Sequence, residues 1–177
     1  IKARPGYKIL QQDLATAEVY VAAILSGDKN LQNVFKSGGD LHSTIAKMVF
    51  QLKEPASEVK EKNPTARQAA KAITFGIMYG SGPAKVSETV SKESGKHFSV
   101  QQAKDTISKY FATFPQLKIW LGMAKEDIES LGHTYSIFGR KRRLPNVFSS
   151  DQGVASHEVR SGINFLIQSV ASDVNLY

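Results

Sequence analysis

The chain has 177 residues, 41% of them hydrophobic, no cysteine, and a formal net charge of +7. That length allows one domain or a large piece of a bigger protein, and the missing cysteines exclude disulfides and thiol catalysis. The longest apolar run, residues 19–25, is far too short to cross a bilayer. The first residues, "IKARPGYKILQQD", read as no secretory signal and lack an initiator methionine, so a fragment or processed piece is expected. The basic excess favours polyanionic partners, nucleic acid first, although such a charge also serves plain solubility.

In chain order, residues 7–12 read weakly as a strand with Asp13 at its end. Good helix formers from Thr16 to Leu25, closed by Gly27, predict a helix. Residues 30–36 and 41–50 read as two more short helices, the second capped by Asp40. "KEPASEVKEKNP", residues 53–64, reads as a polar surface connection. Asn63 followed by Pro64 predicts a side-chain cap and first turn for a helix over 64–79, which "GSGP" then ends. Helices are expected over 84–94, 99–112 and 115–131. A hairpin turning at Gly139 is expected within 133–147, and a long helix over 151–177. The fold class is α+β and mostly helical.

The stretch "RQAAKAITFGIMYG", residues 67–80, spaces Arg67, Lys71, Phe75 and Tyr79 four apart. Each such step drifts only about 40° around a helix, so the four form one slowly turning stripe. Its cationic end can hold a polyphosphate, helped by the helix dipole. Its aromatic end offers flat surfaces to a sugar or base. Gly76 costs roughly 1 kcal/mol against Ala in mid-helix and leaves room beside Phe75 for something large. An amphipathic helix with buried aromatics and snorkelling cations explains the same pattern, and on spacing alone the two readings stand level.

The pattern R-x-x-x-K-x-x-x-F-G-x-x-Y-G resembles the fingers-helix motif of A-family DNA polymerases, the DNA polymerase I type, and is complete at Arg67, Lys71, Phe75, Gly76, Tyr79 and Gly80. "QQDLATAEVYVAAILSGD", residues 11–28, resembles the family's first palm motif at Asp13 and Glu18 and departs from it at Leu14, Ala15, Ala17 and Tyr20. "DLHSTIA", residues 40–46, is similar to its D-[IL]-H-x-x-x-A element, with His42. "RSGINFLIQSVASD", residues 160–173, resembles its R-x-x-I-N-x-x-I-Q-G-x-x-A-D helix at Arg160, Asn164, Gln168 and Asp173, with Leu166 and Ser169 replacing the usual Pro and Gly. The departures point to a divergent, phage-type member.

The resemblance implies fingers over residues 29–132, with palm segments at 1–28 and 133–177. It implies template-directed DNA synthesis by a two-metal mechanism, with Mg²⁺ ions about 3.5–4 Å apart in the complete enzyme. Asp13 and Lys71 are implied as catalytic, with the Asp13 carboxylate and the Leu14 carbonyl as metal ligands. Arg67, Lys71 and His42 would hold the triphosphate, and Phe75 would pack on the deoxyribose. Glu18 would crowd a ribose 2′-hydroxyl and pair with Tyr79, which would sit near the templating base. With Phe rather than Tyr at position 75, discrimination against dideoxynucleotides is expected. Arg160, Asn164 and Gln168 would reach the primer–template minor groove. The "GRKRR" cluster at 139–143 could touch phosphate or be a solvated turn.

By the same resemblance, the family's second catalytic carboxylate, in an H-D-E motif, and its thumb are missing from the chain. The expectations are therefore a fragment or one piece of a split enzyme, inactive alone, with an incomplete palm sheet exposing a strand edge. The implied partners are primer–template DNA, dNTP and the remaining polymerase segments, in the cytoplasm of a bacterium or phage-infected cell and without a membrane. The competing readings are a non-catalytic nucleic-acid or nucleotide-binding helical module, which would tolerate Asp13→Ala, and a single-subunit RNA polymerase relative, which Glu18 and the Phe75–Gly76 pair oppose.

Overall fold

Local signals set most of the helix ends. In the computed structural model, which describes residues 2–9, 16–36 and 38–176, α1 spans Ala17–Ser26, α2 Lys29–Lys36 and α3 Leu41–Phe50. Gly27 closes α1 with φ at 66°, a left-handed conformation that glycine takes without a Cβ penalty. Asp40 caps α3 by accepting from the Ser43 N–H at 2.9 Å. Helix α5 covers Pro64–Met78, α6 Pro83–Ser94, α7 Val100–Thr113 and α8 Pro115–Leu131. Ser99 and Gln102 form a reciprocal capping box at the start of α7. A hairpin of β1 (His133–Tyr135) and β2 (Lys141–Arg143) is antiparallel and pairs Thr134 with Arg142. It turns through Gly139, at φ 82°. A short 3-10 turn at Pro145–Phe148 leads to α9, Gln152–Leu176.

Three expectations need correction. Residues 53–64 are not a plain connection, because α4 forms at Ala56–Lys62, with Val59 fully buried and a Glu58–Lys62 ion pair one turn apart. Two apolar residues in seven, Ala56 and Val59, leave no periodicity to read. Asn63 makes no side-chain cap for α5; its N–H instead closes α4 on the Val59 carbonyl at 2.9 Å. It is the joint between two helices, so its backbone serves the first, while Pro64 still opens the second. Residues 7–9 lie in no strand and Tyr7 is exposed, and the rest of the expected 7–12 strand falls outside the described residues.

The core is built around α5. Ala69, Ala70, Ala72, Ile73, Thr74, Gly76 and Met78 are all buried, and the small ones let α3 and α6 pack closely against it. Tyr110 and Phe114 are fully buried with rings 4.9 Å apart, edge to face. A smaller cluster of Ile128, Leu144 and Val159 sits where α8, the hairpin and α9 meet. Gly162 makes that meeting possible, since a Cβ there would lie 2.6 Å from Leu144 Cδ1 and 2.8 Å from Ile128 Cδ1.

Asp28, only 2% exposed, ties the two ends of the core. Its Oδ1 accepts from the Leu31 N–H, starting α2, and its Oδ2 accepts from the Gln116 and Leu117 N–H groups, starting α8. Asn30 adds a second tie by donating to the Thr113 carbonyl at 2.8 Å.

The hairpin is the only sheet among the described residues, so the expected edge of a palm sheet is not seen there. An apolar cleft of about 420 Å³ between α1, α2, the hairpin turn and α9 is lined by Tyr20, Ile24, Phe35, Phe138, Val170 and Val174. No described helix is long and apolar enough to cross a membrane.

Candidate functional site

Helix α5 keeps Arg67, Lys71 and Phe75 half-buried, and the neighbours Ala70, Ala72, Thr74 and Gly76 are core. Tyr79 is not helical but forms the C-cap. The helix then closes in a Schellman arrangement, with the Gly80 N–H on the Ile77 carbonyl and the Ser81 N–H on the Gly76 carbonyl at 2.7 Å. Gly76 leaves room for the protein's own α6: a Cβ there would lie 3.2 Å from Val86 Cγ2. The space expected beside Phe75 is thus partly taken by packing. What stays open is a pocket of about 180 Å³ between α5 and α6, lined by Lys71, Phe75, Tyr79 and Lys85 among others.

Arg67 is not a free cation. Its Nε and Nη2 donate to the two Asp40 oxygens at 2.8 and 3.0 Å, a bidentate pair across 27 residues of sequence. The Arg67 hydrogen bond holds the Asp40 carboxyl well below the usual carboxylate range, against an opposing effect of burial, and the Ser43 bonds lower it further. Donating the same hydrogen bond to Asp40 raises the Arg67 pKa. Lys71 has no carboxylate within ion-pair reach among the described residues.

His42, 7% exposed, lies in the first turn of α3 with its ring 5.5 Å from that of Phe75. Burial lowers its pKa; Asp40 opposes this, while Arg67 and Lys71 reinforce it, so the imidazole is neutral at pH 7. Its Nδ1 has no hydrogen-bond partner among the described residues. Histidine, arginine and lysine thus border one place, the start of α3 beside the middle of α5.

At the far end of the stripe, the Tyr79 hydroxyl donates to Glu18 Oε1 at 3.0 Å. Burial raises the Tyr79 pKa and Glu18 adds to it, while the Gln168 side chain reaches the same hydroxyl and opposes the shift. Residues 61 positions apart are joined here, and α9 meets them. Arg160, on α9, packs its stem over Gly80, where a Cβ would come within 2.4 Å of Arg160 Cγ. Asn164 and Gln168 line a polar groove of about 410 Å³ together with Arg140, Arg142 and Phe165.

The basic cluster is tied down within the chain. Arg140 pairs with the buried Asp173. Arg142 donates to Ser161 Oγ at 2.8 Å and lies 5.8 Å from the Phe165 ring centre. Lys141 lies 5.2 Å from the Tyr135 ring centre. Arg140 and Arg142 thus tie the hairpin to α9, and all four cations of the cluster stay exposed.

Asp13 and Leu14 lie outside the described residues. Among the described residues no three His, Asp or Glu side chains gather as a metal site. Asp40, expected only as the cap of α3, is a further member of the site through its pair with Arg67. The available signal was its place at the head of "DLHSTIA", two residues before His42.

The model for DNA polymerase family A matches residues 1–176. The chain belongs to DNA polymerase family A. Within this family it is 49% identical over 190 residues to the DNA polymerase of Escherichia phage T5, covering 98% of this chain and 22% of that protein. To the thermostable DNA polymerase I of Thermus filiformis it is 31% identical over 172 residues, covering 97% of this chain and 19% of that one. The nearer likeness to the phage enzyme agrees with the phage-type departures in its motifs. The fold superposes with a TM-score of 0.77, at 29% identity, on the POL domain of Pol1 from M. smegmatis in complex with DNA primer-template and dNTP, covering 92% of this chain and 27% of that one. It is a fingers and palm portion of a family A fold. The chain spans about a fifth of the length of the curated relatives it matches.

Proposed function

We propose that the protein containing this chain is a template-directed DNA polymerase that transfers a nucleotide from dNTP to a primer 3′-hydroxyl. The observation that carries the reading is the convergence at two places along α5. Arg67, Lys71 and His42 gather beside its middle, and the Tyr79–Glu18 hydrogen bond meets α9 at its C-terminal end. An ordinary amphipathic helix needs neither.

In this reading Arg67 and Lys71 neutralise the triphosphate, and neutral His42 adds a hydrogen bond. Phe75 packs on the deoxyribose. Glu18, held by Tyr79, crowds a 2′-hydroxyl, and Tyr79 borders the templating base. Arg160, Asn164 and Gln168, beside the cationic groove, follow the primer–template minor groove, where contacts test duplex shape more than sequence. Residues 29–132 serve as fingers, and 1–28 and 133–177 as palm. Primer–template DNA, dNTP and the remaining polymerase segments are the partners, and the cytoplasm is the place of action.

Asp13, with the Leu14 carbonyl, is the proposed Mg²⁺ ligand on the strength of the sequence motif. The described residues supply no ligand set of their own, and no role above passes through the ion.

The test grafts residues 1–177 in place of the matching segment of the phage T5 DNA polymerase. Primer extension by a graft that melts cooperatively is expected, with loss on Asp13→Ala and increased ribonucleotide insertion on Glu18→Ala. The 177-residue chain alone is expected to give no extension. A folded graft that binds primer–template without extending it, and is indifferent to Asp13→Ala, supports the non-catalytic binding module. Ready ribonucleotide insertion by the unmutated graft refutes the DNA polymerase reading.

A further inference from the structure

Asp40 meets Arg67 along one edge. Its two oxygens take the Nε hydrogen and one Nη2 hydrogen, at 2.8 and 3.0 Å. A guanidinium carries five N–H donors in a rigid plane, so three remain: two on the outer edge shared by Nη1 and Nη2, and one on Nη1 facing back along the stem. Fixing one edge of a planar group fixes the direction of the other. The Arg67 side chain keeps 22% of its surface exposed, so an anion can approach it. The same Asp40 carboxylate accepts from the Ser43 N–H and caps α3. One carboxylate therefore places Arg67 relative to the first turn of α3, which carries His42, and Lys71 follows one turn along α5.

We propose that Asp40 is a positioning residue that aims the free edge of Arg67 at the phosphates of a bound nucleoside triphosphate. This rests on the nucleotide-binding reading above and adds to it a residue that touches no substrate. The stereochemistry opposes the alternative, in which Asp40 is a rival anion to be displaced. A rival would occupy the outer Nη1/Nη2 edge, whereas Asp40 takes the edge next to the stem. The depressed Asp40 pKa keeps the carboxylate ionised and the pair intact throughout the working pH range.

The test titrates inorganic tripolyphosphate into the full chain by calorimetry, comparing wild type, Asp40→Asn, Arg67→Ala and the double variant. Asn keeps an oxygen for the Ser43 cap but loses the charge and one of the two Arg67 bonds. Asp40→Asn is expected to weaken binding about tenfold, the worth of one charged hydrogen bond. Arg67→Ala should lose at least as much, and the double variant no more than Arg67→Ala alone. The same factor lost in the Arg67→Ala background would mean that Asp40 acts only through the fold. Tighter binding by Asp40→Asn would make it the rival anion, and no measurable binding by the wild-type chain would also overturn the proposal.

In the grafted polymerase, Asp40→Asn should raise KM for dNTP with a smaller change in kcat, and an unchanged KM contradicts the proposal. A graft that extends no primer, while the chain binds tripolyphosphate through both residues, refutes the polymerase reading and leaves the positioning role standing.

Discussion

Replacing Asp28 by Ala should be the most damaging single change to a polar residue in this core. Its carboxylate satisfies three backbone N–H groups on two helices: Leu31 at 3.1 Å, Gln116 at 3.0 Å and Leu117 at 3.2 Å. Gln116 is exposed and can turn to water, but Leu31 and Leu117 are fully buried. An orphaned buried donor costs about 1–3 kcal/mol. Two of them sum to roughly 2–6 kcal/mol, and releasing a buried carboxylate from its desolvation offsets part of that. A loss of about 3 kcal/mol is therefore expected. For a chain of this size it corresponds to a fall in Tm of roughly 6–12 °C.

Equilibrium urea unfolding followed by circular dichroism measures the loss as a shift in midpoint at unchanged slope. Asp28→Asn, which keeps one accepting oxygen, should fall between wild type and Ala. Amide hydrogen exchange at Leu117 should accelerate in both variants, although the substitution lies 89 positions away. A loss under about 1 kcal/mol for Asp28→Ala, no more than one ordinary surface cap, would refute the double-cap reasoning.

Gly80→Ala places a side chain at φ 66°, a left-handed conformation costing an L-residue about 1–2 kcal/mol, and drives its Cβ into the Arg160 stem. Stability should fall by about that amount in urea. In the grafted polymerase, primer–template affinity by fluorescence anisotropy should fall towards that of Arg160→Ala. The Asp40 pKa is depressed in the fold, so its contribution is present above the unfolded carboxylate value and is lost as pH falls towards the folded one. The stability difference between wild type and Asp40→Asn should hold constant from about pH 7 to 5 and shrink below about pH 4. A urea series showing the same difference at pH 5 and pH 2.5 contradicts it.

The sequence by itself determined the helices whose signals are local. Apolar periodicity, the Asp40 cap, Pro64 and Pro115 at first turns, and Gly27 and Gly139 at positive φ act within a few residues and were readable before any packing. The motif residues of α1, α3, α5 and α9 were readable as types at fixed spacing, and so was family membership. Only the tertiary structure decided the pairings. Arg67 with Asp40, Tyr79 with Glu18, Arg140 with Asp173, and Asp28 with the start of α8 join residues 27 to 89 positions apart. Each needs two helix faces, or a hairpin and a helix, to arrive at one place. Helix α4 and the true use of Gly76 belong with them. One buried Val59 and one close approach by Val86 are invisible until the neighbouring surface is there to bury the first and crowd the second. A periodic pattern records which face of a helix leaves water, and the partner on that face is set by how the whole chain packs.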